Sequence, residues 1–426
     1  MRIAMLTFGS RGDVQPYIAL GVGLKRAGHA VRLAAPAQFE AFVTSYGLDF
    51  VPLPGNVEAI ARNFVERAKF NLVRTIQVLA EQIPPVAAVA YRQIVSACAD
   101  ADAIVHALVM TPSGHQMARL FGVPDISAQT IPVFAHTRAF PGVMFPGLPL
   151  GGGYNWLTHE LFNQAFMLTG RLLYRMVRHQ LPDPPGAPLW PFAASNPQRP
   201  PLLFGFSPSV IPPPPDWGAR VHVTGYWYLD APDWQPPPGL VDFLAAGPPP
   251  VYVGFGSMMG QDLAQTMAVA LEALRLSGQR GVIATGWGRA ADVDLPDSVF
   301  QIDAAPHGWL FPQMAAVVHH GGAGTTSAGL RAGVPTVIVP FAADQLFWGQ
   351  RVAALGVGPA PIPRRALTAA HLAYAIRVAA THTPMRQRAA ALGERIRAED
   401  GVGEAVGWIE HYVHDATSAR RATSPG

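Results

Sequence analysis

Short apolar runs alternate along this chain with longer stretches of helical period. Arg2–Phe8 has the length of one strand, Tyr17, Leu20, Gly21 and Leu24 recur at helical spacing, and Gly28 closes that stretch before a second run, Ala30–Ala34. This unit predicts a parallel sheet. Its first loop, Gly9–Asp13, then falls at the C-terminal edge of the strands, where open α/β sheets bind ligands. Helical pattern runs from Asn56 to Ser96, broken at Pro84-Pro85, and Ala103–Leu108 and Ile126–Gln129 resume the alternation. Pro132–Gly153 reads as a long loop carrying Phe134, Phe140, Met144 and Phe145, either the wall or lid of a site for an apolar molecule or ordinary surface. Trp156–His179 predicts a helix with Leu161, Met167, Leu168, Leu172 and Met176 on its apolar side and Arg171, Arg175 and Arg178 late. A basic amphipathic helix can lie weakly on a membrane surface, but packing of that face into the protein is the favoured reading. Leu202–Ser207 reads as the last strand of the first half.

Proline-rich segments at Pro212–Pro215, Pro236–Pro238 and Pro248–Pro250 interrupt the pattern, which then restarts with strands at Val251–Phe255, Gly281–Thr285 and Val299–Ile302. Ala315–Val318 is a further apolar run. His319-His320-Gly321-Gly322-Ala323-Gly324-Thr325-Thr326 follows it, then a helical stretch closed by Gly333 and Pro335, then the β-branched strand Thr336–Val339. Leu367 to Arg397 reads as two helices, and Ala405, Trp408, Ile409 and Tyr412 share one face of a last short helix. The expected division is a first domain over 1–215, a linker over 216–240, a second domain over 241–403, a helix over 404–414 and a disordered tail over 415–426.

A length of 426 residues suits two domains, and with 50% hydrophobic and 14% charged residues a large core can form. A net charge of only +3, scattered along the chain, argues against a nucleic-acid partner. The single cysteine, Cys98, allows no intrachain disulfide or cysteine-rich metal site. No secretory leader or apolar run of spanning length is evident, so a soluble cytoplasmic protein, monomeric or weakly dimeric, is expected.

Two places carry chemistry. The glycine loop at 321–324 exposes backbone N–H groups at a helix start, which suits a diphosphate, although small residues can also serve only close packing. Asp13 is either the N-cap of the helix that carries Pro16 in its first turn or a carboxylate base at the sheet edge. The acidic pairs Asp100-Ala101-Asp102 and Asp292-Val293-Asp294 are not at strand ends suited to a metal-bound diphosphate, so no metal is expected.

Pro306-His307, Trp309, His320-Gly321-Gly322, Gly324-Thr325, Gly333-Val334-Pro335, Pro340 and Asp344-Gln345 together resemble the nucleotide-sugar signature of the family 1 glycosyltransferases. GSRGDVQPYIALGVGL, from Gly9, is similar to the N-terminal signature of their sterol and glycopeptide-antibiotic branch. The resemblance implies the GT-B arrangement, an α/β fold of two Rossmann-like domains facing each other across a cleft, with the last helix crossing back to the first domain. It implies Asp13 as the base and a donor site of Gly256, Ser257, Ala305, His307, His320, Gly322, Gly324, Thr325, Asp344 and Gln345. Within that site His320 and the helix start hold the diphosphate and Asp344-Gln345 the sugar hydroxyls. Ser10, Arg11 and His319 are secondary donor candidates, and Phe134, Phe140, Met144 and Phe145 acceptor candidates. Where plant relatives have a stacking Trp and a ribose-binding Glu, this chain has about Ala304 and Ala328, so the choice between UDP and TDP stays open, with UDP favoured. Plant relatives also pair a catalytic His with an acid from a later strand. Here that strand carries His106 and Ala107, and His106 reads as a buried strand residue.

The expected activity is inverting, metal-independent transfer of a hexose from UDP-glucose or another nucleotide sugar, as co-substrate and without a cofactor, to a lipophilic hydroxyl compound such as a sterol, polyphenol or macrolide. A sugar-nucleotide 2-epimerase and a non-catalytic carrier of a lipophilic small molecule are the alternatives.

Overall fold

The computed structural model describes residues 1–57, 72–181, 186, 190–193, 196, 198–231, 233–255, 263–284 and 295–423. The chain divides into two compact units. One comprises Met1–Gly142, Leu148–Leu229 and Asp400–Gly426, the other Val143–Gly147 and Asp230–Glu399. The first unit holds a parallel sheet of β1 (Arg2–Leu6), β2 (Ala30–Pro36), β3 (Asp49–Leu53), β4 (Ala103–His106), β5 (Asp125–Gln129), β6 (Leu202–Phe204) and β7 (Val221–Val223), in the order β3-β2-β1-β4-β5-β6-β7. The second holds β8 (Val251–Gly254), β9 (Gly281–Ala284), β10 (Val299–Ile302), β11 (Ala316–His319) and β12 (Thr336–Ile338), in the order β10-β9-β8-β11-β12. These are two parallel-sheet α/β domains, as the strand–helix alternation predicts. Strands β4, β5, β8 and β11 are buried along their whole length, which is why they read as unbroken apolar runs rather than alternating ones. In each sheet the strand order reverses beside the first strand of that unit. The loops leaving β1 and β11 therefore open at a topological switch point, where such sheets leave a crevice for ligands.

In the first unit the helix Arg11–Arg26 buries Val14, Tyr17, Ile18, Leu20 and Leu24 against Ile3 and Met5. The same cluster takes in Ala405, Ile409 and Val413 of the helix Gly401–Thr423, so this helix belongs to the core of the first unit. It is longer than the helix expected over 404–414. The apolar spacing continues to Val413, and His411 with Asp415 and Thr417 with Val413 add i,i+4 contacts across the segment expected to be a disordered tail from 415. Residues 424–426 of that segment lie outside the described ones. Val221–Val223, inside the segment read as a linker, is instead the seventh strand; three residues between prolines are too few to show a period.

Trp156–His179, predicted as a helix, is one from Gly151 to Val177, so the preceding loop ends at Leu150. Of its apolar side, Leu161, Leu168 and Met176 are exposed rather than packed inward, and Met167 and Leu172 are half-buried. The buried residues are Thr158, His159, Asn163 and Val177, while Leu157, Leu161 and Leu168 are exposed. Polar hydrogen bonds hold the inward side. Thr158 Oγ1 accepts from Gly142 N at 2.8 Å, and His159 Nε2 lies 3.0 Å from Phe140 O. Among the described residues no helix is long and apolar enough to cross a membrane.

Candidate active site

In the first unit the chain leaves β1 through Thr7 and turns at Gly9, whose φ of +149° favours glycine. A Cβ there would lie 2.3 Å from Asp13 Oδ2, so the absent side chain is what admits the carboxylate. The N-cap of the helix is Ser10, and Asp13 sits at N3. This corrects the reading of Asp13 as the cap itself: it reaches back, as the acid of a capping box does, and Oδ2 accepts from Ser10 N at 2.7 Å and Ser10 Oγ at 2.9 Å. Thr7 Oγ1 donates to Asp13 O at 2.6 Å and fixes the turn from below. Asp13 Oδ1 takes no hydrogen bond among the described residues. Asp13 keeps exposed surface, but crowding of its carboxyl by protein raises its pKa, against the lowering effect of the two Ser10 bonds. One oxygen is thus tethered, and the other is left as a stronger base than an ordinary carboxylate. Arg11, an exposed donor candidate, instead donates to Gln15 Oε1 at 3.0 Å and lies 4.7 Å over the Phe42 ring.

The strand end beside this loop holds a polar cluster that sequence reasoning missed. His106 Nε2 and His115 Nδ1 approach the same oxygen, Asp125 Oδ2, at 3.0 and 2.9 Å, and all three residues are buried. Asn196 Nδ2 donates to Pro191 O and lies 3.1 Å from His115 Nε2, so that nitrogen accepts and His115 donates through Nδ1 to Asp125. Burial would raise the pKa of Asp125, but the hydrogen bonds from His106 and His115 outweigh it and hold the carboxyl below its usual range. His106 is a buried strand residue, as expected, with an acidic partner from the next strand. The available signal was register: His106 pairs with Ser127, two residues beyond Asp125.

Phe134 is 1% exposed, at φ +67°, and packs against Phe162, Phe166, Trp190 and Phe192 at centroid distances of 4.9–6.1 Å. It is a core residue beneath the loop, not an open wall. Phe140 is half-buried and meets Trp217 edge-on at 6.0 Å. Met144 is exposed and Phe145 half-buried, both on the short segment Val143–Gly147 that belongs to the second unit.

In the second unit β11 ends at His319, and the chain turns through Gly321, with φ of +93°. A Cβ on Gly321 would meet Ile338 Cγ2 at 2.7 Å and Gln345 O at 3.0 Å, so only glycine lets the loop lie this close to β12. His319 Nδ1 accepts from Gly321 N at 2.9 Å, which puts the ring proton on Nε2, a buried atom with no partner among the described residues. Burial first, then the neighbouring His320 and His307, push His319 well below the ordinary histidine range. Burial brings His320 to about 4, so both rings are neutral at neutral pH. His320 Nδ1 is also buried without a partner, and a Cβ on Gly322 would come within 2.5 Å of Nε2. Gly322 caps the helix Ala323–Ala332, with Gly324 exposed and Thr325 half-buried in its first turn. Helix N-terminal N–H groups have no intrahelical acceptor, and their partial positive charge suits an anion. Thr326 Oγ1 and Ser327 Oγ bond back to Gly322 O and Gly324 O, leaving Thr325 as the hydroxyl of that turn with no such bond.

His307 stacks on Phe311 at 4.3 Å, after half-buried Ala305. Asp344 Oδ2 accepts from Trp348 Nε1 at 2.8 Å, following Ala343 at φ +53°. Gln345 is buried, and its Oε1 accepts from Phe341 N at 2.7 Å and Ala342 N at 3.0 Å, so its oxygen shapes the loop. Gly256 and Ser257 lie outside the described residues, as does Asp292-Val293-Asp294. Asp100 and Asp102 pair with Arg32 and Arg2 at 2.6 and 3.2 Å, at the opposite strand ends of the first sheet. Among the described residues no group of three or more His, Cys, Asp or Glu is placed to hold a metal ion.

Residues 3–111 match the glycosyltransferase family 28 N-terminal domain, and residues 281–411 the erythromycin biosynthesis protein CIII-like C-terminal domain. The sterol 3-beta-glucosyltransferase of Emericella nidulans is 37% identical over 441 aligned residues, covering 100% of this chain and 31% of that protein. That of Cryptococcus neoformans is 37% identical over 98% of this chain and 27% of its own length. The chain thus spans about a third of the length of these curated relatives. Among solved structures, the calicheamicin glycosyltransferase CalG4 superposes with a TM-score of 0.70 at 20% identity, over 97% of this chain and 98% of its own. The glycosyltransferase VinC in complex with dTDP gives 0.66 at 20%, over 97% of this chain and 100% of its own.

Proposed function

Because the chain belongs to the family 1 glycosyltransferases of GT-B fold, we propose that it transfers a hexosyl group, with inversion, from a nucleoside diphosphate sugar to the hydroxyl of a sterol. The acceptor class rests on one observation, the likeness along the whole of this chain to sterol 3-beta-glucosyltransferases. In the proposed reaction the sterol hydroxyl oxygen forms a bond to the anomeric carbon from the face opposite the diphosphate. Its proton passes to Asp13 Oδ1, the bond from the anomeric carbon to the diphosphate breaks, and the nucleoside diphosphate leaves with the electron pair. The N-terminus of Ala323–Ala332 and a hydrogen bond from His320 stabilise the charge gathering on the leaving oxygen. His320 supplies that bond as a neutral ring, because burial lowers its pKa to about 4. UDP-glucose is the preferred donor, with the TDP sugar as its rival, and the reaction needs no metal.

Incubating the protein with UDP-glucose or TDP-glucose and a sterol, with products read by mass spectrometry, tests this reading. A sterol hexoside is the expected product. Conversion of the nucleotide sugar to its epimer without an acceptor, or transfer only to free sugars, would overturn it.

Replacing His320 with alanine should raise the donor KM and lower kcat. A hydrogen bond to a charged phosphate is worth roughly 1.5–3 kcal/mol, so kcat/KM should fall by about 10- to 100-fold. Near-parent kinetics in a folded protein would move the role to the backbone or to His319.

A further inference from the structure

We propose that the outward face of the helix Gly151–Val177 is a docking surface for an anionic lipid bilayer. Amphipathic helices in a globular protein normally turn leucines inward and polar residues out. This one turns Phe162, Phe166 and Val177 inward beside the buried Thr158, His159 and Asn163, yet leaves Leu157, Leu161 and Leu168 standing 48%, 49% and 50% exposed on its other side. At 100° per residue those three leucines fall within about 40° of one another, in a stripe about 16 Å long. Leu150, just before the helix, is 63% exposed.

The stripe does not end in a neutral surface. One to three turns further on, the same side carries Arg171 and Arg175, followed by Arg178, all exposed. The sole acid in residues 151–180, Glu160, is half-buried and held by His136 at 2.8 Å. An apolar ridge continuing into arginines that form no ion pair among the described residues matches the two layers of an anionic membrane surface. The leucines enter the acyl boundary, and the arginine stems lie along it with their guanidinium groups among the headgroup phosphates. Another protein could match the apolar ridge, but the charge continuing along the same side fits a lipid surface better than a second copy of this chain, which would set arginines against arginines or leucines. A membrane is also where a sterol resides, so the surface deepens the proposed function. Its own evidence is the face of the helix, and its test requires no turnover.

The test is flotation of the full chain with vesicles of phosphatidylcholine, alone or with phosphatidylglycerol, and without sterol or nucleotide. The expected result is binding to the anionic vesicles that weakens with salt, and little binding to the neutral ones. Removing three charges near an anionic surface, in Arg171→Gln/Arg175→Gln/Arg178→Gln, should weaken binding roughly a hundredfold. Leu161→Glu/Leu168→Glu should abolish it, with circular dichroism and melting checking that each variant stays folded. Failure of the parent chain to float with anionic vesicles overturns the proposal, as does equal binding by the parent and both folded variants. So does sedimentation showing a dimer that Leu161→Glu/Leu168→Glu dissociates while vesicle binding is absent. A sterol hexoside formed by a chain that does not float would separate failure of the surface from failure of the function.

Discussion

Replacing Asp13 with asparagine should lower the turnover of an alkyl alcohol acceptor by about 10²–10⁴-fold, the usual span for loss of a general base. Asparagine keeps an oxygen to accept from Ser10 N, the bond that ties this side chain to the helix start, so the melting temperature should hardly move. It cannot take a proton. Donor affinity should persist, because the nucleotide-sugar motif lies in the other unit. The pH profile gives an independent reading. A carboxyl acts as base only when ionised, and the crowding that raises the pKa of Asp13 should place the acid limb of the rate above the ordinary carboxylate value of about 4. That limb should be missing from the variant. A phenolic acceptor, which needs less help in losing its proton, should lose less rate. Turnover of an alkyl alcohol at near the parent rate by Asp13→Asn would leave Asp13 with its structural role alone.

The second large effect is on stability. Asp125→Ala removes the acceptor shared by His106 and His115 and leaves two ring nitrogens buried without it. Removing one partner from a buried charged cluster costs about 3–5 kcal/mol. In a unit of this size the melting temperature at neutral pH should drop by roughly 10 °C. Because the folded-state pKa of Asp125 is depressed, its contribution is present above the ordinary carboxylate range and is lost as pH falls through the folded value. The gap between parent and variant should therefore narrow in acid. Equal melting at neutral pH would show that water or a repacked neighbour replaces the carboxylate.

The alternation of strands and helices was legible because both sheets are parallel and buried, and buried parallel strands announce themselves as short β-branched runs. The loops at the switch points were legible for a related reason: Gly9 and Gly321 stand where no side chain fits. Contacts across the sheet were less accessible. His106 and Asp125 meet only because β4 and β5 pair in a particular register, and nothing local to either residue reveals it. Phe134 looked like part of an exposed loop because proline and glycine mark irregular backbone without saying how deep it lies; its depth comes from Phe162, Phe166, Trp190 and Phe192, distant in sequence. The helix Gly151–Val177 shows the limit of periodicity itself. Spacing identifies an apolar face but not its direction, and here a hydrogen bond that Thr158 accepts from Gly142 N and one between His159 and Phe140 O help set that direction.

Ala405, Ile409 and Val413 complete the same core that Ile3, Tyr17 and Leu20 begin. Synthesis runs the other way from this architecture. While the ribosome is still translating residues 230–399, all seven strands of the first unit are out but one wall is missing, and the apolar residues that the last helix covers wait exposed. The second unit, contiguous over 230–399 apart from the short segment Val143–Gly147, can close first. The usual order, in which the earlier domain folds earlier, is thereby inverted. A chain halted at Glu399 would carry a complete donor-binding motif alongside a permanently unfinished neighbour.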